Sequence, residues 1–95
     1  MKNKFNAVYF MQMNYSDENL RNLKNKFNLT VLKDVEKILT FKHDNVDVLF
    51  APFELKITEN FLNKFNNLKV IISNTTSIPH IDINACEKKK VKISA

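Results

Sequence analysis

The chain has no glycine and no tryptophan, one cysteine and two prolines in 95 residues, and Arg21 is its only arginine. Without glycine it holds neither a Walker A loop nor a G-x-G-x-x-G turn, because both bring backbone so close to phosphate that a Cβ would collide. A lone Cys86 excludes an internal disulfide and a cysteine-based metal site. A single arginine leaves little to read base edges in a nucleic acid. Long hydrophobic runs are missing too: no stretch approaches the ~20 apolar residues of a membrane span. The opening "MKNKFNAVYFMQMNYSDEN" begins with positive charge, but its apolar run is short and meets Asp17 and Glu18, unlike a signal peptide. The expectation is a cytoplasmic chain with no membrane partner.

What is present is ordinary for one globular domain: 44% hydrophobic and 26% charged residues. The net charge of +5 comes from lysines scattered along the chain, with one cluster at Lys88, Lys89 and Lys90. Scattered lysines without interleaved arginine act on solubility, so no specific nucleic-acid partner is expected. His43 and His80 are far apart and define no metal-ligand set.

Apolar runs alternate with amphipathic ones. "FNAVYFMQM" (5–13) reads as a buried strand. Ser16 offers an N-cap, Asp17 and Glu18 suit the first turn, and Leu20, Leu23 and Phe27 form one helical stripe. "LTVLK" (29–33) reads as a second strand, "VEKILTF" (35–41) as a short helix and "KHDN" (42–45) as a turn. "VDVLFAPF" (46–53) is a third strand stopped by Pro52, which lacks an N–H for the ladder. Thr58 caps a helix that buries Phe61, Leu62, Phe65 and Leu68; "KVIISN" (69–74) is a fourth strand; a helix follows Asp82; "VKIS" (91–94) is a fifth strand. Such alternation means an α/β fold with a parallel sheet and right-handed crossovers. Ligands in such sheets sit beyond the carboxyl ends of the strands, here residues 12–14, 52–55 and 73–79.

The second half resembles a known family. Asp47 before an apolar strand, Lys56-Ile57-Thr58 opening a helix, Leu68-Lys69-Val70-Ile71, His80-Ile81-Asp82 and Val91-Lys92-Ile93 stand in one gap-free register. Together they resemble the substrate domain of the D-isomer-specific 2-hydroxyacid dehydrogenases. The resemblance covers 46–94; the first half agrees in its strand–helix order. It implies a flavodoxin-like sheet of about five strands in the order 2-1-3-4-5, forming an incomplete domain. Residues 1–95 would be the N-terminal segment of the substrate-binding (catalytic) domain, with the NAD-binding domain absent from this chain and a returning C-terminal helix needed as cover. The complete enzyme would use NAD or NADP to oxidise the CH–OH group of small D-2-hydroxy acids or reduce the 2-keto acids. This chain alone would bind no cofactor and be inactive, and its uncovered surface would favour self-association.

The resemblance also implies a substrate-binding turn after the fourth strand, where backbone N–H groups face a carboxylate. The matching positions are Asn74, Thr75, Thr76, Ser77 and Ile78, with Phe53 a further candidate at the mouth. Thr75 and Ser77 stand where the family usually has glycine, and Pro79 biases Ile78 to extended backbone. The plainer reading of Thr75, Thr76 and Ser77 is that they satisfy a strand end, and that of Phe53 is core packing. No residue matches the family's catalytic Arg, acid and His: His80 reads as a turn residue, Asp82 as an N-cap and Cys86 as small core. The alternative function is a non-enzymatic flavodoxin-like module that binds a partner or an anion.

Overall fold

The computed structural model describes residues 4–39, 45–52, 55–73 and 80–94. Five parallel strands, β1 (Asn6–Phe10), β2 (Asn28–Leu32), β3 (Val48–Ala51), β4 (Val70–Ser73) and β5 (Lys92–Ser94), form one sheet in the order β2-β1-β3-β4-β5. This is the α/β fold and strand order expected. Among the described residues, three α-helices, α1 (Asp17–Lys26), α2 (Glu59–Leu62) and α3 (Ile83–Lys88), lie in the connections.

Each helix begins at a side-chain cap that satisfies an otherwise unpaired backbone N–H. Ser16 Oγ accepts from Asn19 N at 3.1 Å, Thr58 Oγ1 from Phe61 N at 3.2 Å, and Asp82 Oδ1 from Ala85 N at 3.1 Å. Asp17 and Glu18 occupy the positive end of α1, while Lys24 and Lys26 occupy its negative end.

One expected element differs. The run 5–13 is not strand throughout: β1 stops at Phe10 and Met11–Met13 form a 3-10 turn, closed by Asn14 in the left-handed region at φ 55°. Asn tolerates that conformation because its short polar side chain lowers the steric penalty. The segment after β2 is the short helix expected, of the 3-10 kind over Val35–Leu39, with residues 40 and 41 outside the described residues.

β1 lies between β2 and β3, so the crossover to β2 runs one way across the sheet and the crossovers from β3 to β5 run the other. Right-handed connections therefore put α1 on one face and α2 and α3 on the opposite face. The α2/α3 face is closed: Leu49, Ala51 and Ile71 are fully buried there, under Phe61, Leu62, Ala85 and Cys86. The α1 face is closed only over β1 and β3, where Tyr9, Tyr15, Phe27 and Phe50 make an aromatic cluster with ring centroids 5.0–6.4 Å apart. Towards β5 it opens. Val70 and Ile72, in register with Val48 and Phe50, are only half-buried, and Lys92 and Ser94 beyond them are exposed. No residue of α1 is fully buried.

Candidate functional site

The carboxyl ends of the strands are shaped by three local devices. After β1, the 3-10 turn and Asn14 reverse the chain so that Tyr15 N donates to the Tyr9 hydroxyl at 2.8 Å. Burial, and secondarily the neighbouring Tyr9, raises the Tyr15 hydroxyl above its ordinary 10.0. After β3, Leu55 N donates to Pro52 O at 3.0 Å, so the chain folds back as the strand ends. After β4, which ends at the buried Ser73, the chain is next described at His80.

There the segments that follow β3 and β4 meet. Ile57 and Ile81 form a parallel bridge: Ile57 N donates to His80 O and Asp82 N donates to Ile57 O, both at 2.8 Å. Both isoleucines are buried. Beside the bridge lies a hollow of about 270 Å³ lined by Lys56, Ile57, Thr58, His80, Ile81 and Asp82. A larger hollow of about 670 Å³ lies at the opposite, amino end of β1 and β2, where Lys24 and Phe27 face Asn6 and Asn28. It is far from the carboxyl edge where this topology binds ligands.

The sequence-level candidates divide accordingly. Asn74, Thr75, Thr76, Ser77, Ile78 and Phe53 lie outside the described residues. His80 sits in the turn with its carbonyl bound to Ile57, and Asp82 caps α3, as their plainer readings hold. Cys86 is buried in α3, where burial, with a smaller contribution from Asp82, raises its thiol above 9.0. A thiol so held is a packing group rather than a nucleophile. Asp47, expected only as the acidic residue before a strand, is structural: Oδ2 accepts Asn6 N at 2.9 Å and Oδ1 pairs with Lys69 Nζ at 3.2 Å. Sequence reasoning missed the Ile57–Ile81 bridge. Its only sequence signal is an isoleucine a few residues after each of two strands, six after β3 and eight after β4.

Among the described residues no three His, Cys, Asp or Glu side chains gather to hold a metal ion, and no helix is long and apolar enough to cross a membrane. A dinucleotide fits this chain poorly, because a sequence without glycine supplies no close backbone approach to a pyrophosphate.

An open parallel sheet whose connecting segments converge at its carboxyl edge defines a flavodoxin-like α/β domain. The chain belongs to the family described as D-isomer specific 2-hydroxyacid dehydrogenase, catalytic domain, whose model matches residues 8–95. The match thus extends through the first half of the chain. Solved structures share the fold at low sequence identity. A 2-hydroxyacid dehydrogenase from Ketogulonicigenium vulgare Y25 superposes with a TM-score of 0.76 at 16% identity over 97% of this chain. D-lactate dehydrogenase from Aquifex aeolicus, solved with NAD and lactic acid, gives 0.71 at 22% identity over 93%. The 3-phosphoglycerate dehydrogenase of Entamoeba histolytica, solved with NAD+, gives 0.72 at 16% over 95%. The chain spans 29%, 27% and 32% of those three structures. No curated protein matches it in sequence.

Proposed function

We propose that residues 1–95 form the N-terminal part of the substrate-binding domain of a cytoplasmic, NAD- or NADP-dependent oxidoreductase acting on the CH–OH group of D-2-hydroxy acids. The family match over 8–95 carries this reading. The Ile57–Ile81 bridge supports it, because it gathers the segments after β3 and β4 at the carboxyl edge of the sheet. Asn74–Ile78 lie between Ser73 and His80 in the chain, and Phe53 follows Pro52, so both belong to the segments that meet there. In this reading their backbone N–H groups hold the carboxylate of a small 2-hydroxy or 2-keto acid. Hydride transfer belongs to the complete enzyme, whose NAD-binding domain would be the partner of this segment. The chain by itself binds no cofactor and turns nothing over, and it associates with itself through surface that the complete domain would cover.

The test is a titration of the isotope-labelled chain with pyruvate, followed by amide chemical shifts. Shifts confined to Phe53, Asn74–Ile78 and the Ile57/Ile81 bridge are the expected result, with none on adding NADH. Shifts elsewhere, or none with any 2-keto acid, would favour a partner- or anion-binding module instead.

A further inference from the structure

The two edges of the sheet are built differently. β5 is three residues long, and its Lys92 and Ser94 are exposed. Shortness and a lysine are usual defences against another chain pairing with an open edge. β2 has neither. Its five residues, Asn28–Leu32, include no charge and no proline, and no residue of it has the positive φ of a bulge. Val31 is 39% exposed and is the one large exposed hydrophobic among the described residues that lies within a strand.

The backbone pattern fixes which groups of β2 point outward. Asn28 N donates to Phe5 O, towards β1. Successive residues of a strand alternate in the direction of their N–H and C=O groups, so Thr30 and Leu32 also turn towards β1, while Leu29 and Val31 present both groups to the open side. We propose that β2 pairs antiparallel with β2 of a second copy of this chain, about a twofold axis through Thr30, joining the two sheets into one. In that register Leu29 of each copy stands opposite Val31 of the other as a hydrogen-bonded pair, which uses every outward group of the strand. Centring on Leu29 or Val31 instead would leave outward groups facing the helix end or the turn.

The side chains agree with the same register. Leu29 and Val31 share one side of the strand, so each exposed Val31 is covered by the other copy's half-buried Leu29. Beyond the pair, Lys26 in the last turn of α1 falls beside Asp34 of the second copy. Asp34 is half-buried and its Oδ1 is buried without a hydrogen-bond partner, so it offers the second copy at most its other oxygen. Lys33, exposed beside Asp34, brings like charge to the same ends of the strand pair, so the register rests on the backbone groups and the Leu29/Val31 pair rather than on charge. This pairing goes beyond the proposed function: it lies at the edge of the sheet opposite the open side over β4 and β5, and is a separate route to self-association.

Sedimentation equilibrium of the purified chain and two kinds of variant test it. Val31→Pro removes an outward N–H and leaves the ladder to β1 intact, since proline is tolerated on an edge. It should weaken dimerisation at least about tenfold through lost hydrogen bonds, with the circular dichroism unchanged. In a Cys86→Ala background, Thr30→Cys places two Cα atoms about 4.5 Å apart across the axis, within disulfide range. Val31→Cys meets Leu29 instead. Thr30→Cys should therefore cross-link roughly tenfold faster than Val31→Cys. A dimer that survives Val31→Pro, or cross-links equally at both positions, overturns the β2 pairing and leaves self-association standing. A wild-type monomer overturns both, and leaves the substrate reading to the pyruvate titration.

Discussion

Asp47 shows how much one side chain can organise at the amino edge of the sheet. Its Oδ2 takes the Asn6 N–H of β1 and its Oδ1 takes Lys69, while its backbone N–H donates to Asn6 O and its carbonyl accepts from Lys69 and Val70 ahead of β4. The Lys69 side chain is 54% exposed and that of Asp47 only 16%. The exposed ion pair is screened and contributes little, whereas the Asn6 N–H would be stranded without its acceptor. Asp47→Ala should therefore cost ~1–3 kcal/mol in urea unfolding, and Lys69→Ala less than ~1 kcal/mol. Equal costs would show that the ion pair, not the backbone bond, is the stabilising part. Tyr15 and Cys86 give a second prediction at this scale. Both are raised by burial above their ordinary values of 10.0 and 9.0. The unfolded chain gives up those protons first, so the stability they confer is full below the ordinary values and is lost as pH rises through the folded ones. Thermal melting should fall as pH passes 9.0 and then 10.0. Cys86→Ala should delay the first loss and Tyr15→Phe the second. Unchanged alkaline melting in both variants would refute the assignment.

At the scale of elements, the sequence reveals burial more faithfully than conformation. Phe61, Leu62, Phe65 and Leu68 were legible as one inward stripe, and all four are buried. Yet α2 ends at Leu62, so Phe65 and Leu68 reach the core from the turns that follow. Apolar spacing records which side chains must leave water, and a turn can deliver them as well as a helix can. The same limit explains Met11–Met13. Their apolarity continues that of β1, but the strand ends at Phe10, and Met11 is 59% exposed. Strand order was legible because the family resemblance picks one of the few topologies that alternation and handedness leave. The bridge between Ile57 and Ile81 was not, because it depends on where two loops end in space. The substrate turn at Asn74–Ile78 rests on family resemblance alone. The stripes also predict unequal mutational costs. Leu62→Ala, at 1% exposure, should lose ~2–5 kcal/mol. Leu20→Ala, on the half-covered α1, should lose clearly less, since its truncation opens little cavity. Equal losses would mean that α1 is more firmly covered than its exposure indicates.

At the scale of the whole molecule, size and surface disagree in an informative way. The radius of gyration is 12.6 Å, close to the roughly 12.4 Å expected for a compact domain of this length. The accessible surface is 6434 Å², against about 5,700 Å² expected for a compact monomer of this mass. Among the described residues, the part of that surface that belongs to the sheet is the open side over β4 and β5. The half-buried Val70 and Ile72, on the α1 side of β4, mark that face, while Ile71 between them is fully buried on the other. A helix-sized footprint of about 400 Å² left in water forfeits on the order of 10 kcal/mol at ~25 cal/mol per Å². That is an upper bound, because unfolded chains already bury part of their surface, but it is comparable with the net stability of a whole domain. The chain should therefore bind a hydrophobic dye while folded. Ile72→Thr should lower dye binding and leave the melting temperature nearly unchanged, because it makes an already wet position more polar. Ile71→Thr, one residue away, should destabilise the fold and raise dye binding, because it buries an unpartnered hydroxyl between α2 and α3. Dye fluorescence and thermal melting of the two variants decide the matter. If Ile72→Thr melts as early as Ile71→Thr, both faces of β4 are covered, and the additional surface belongs elsewhere.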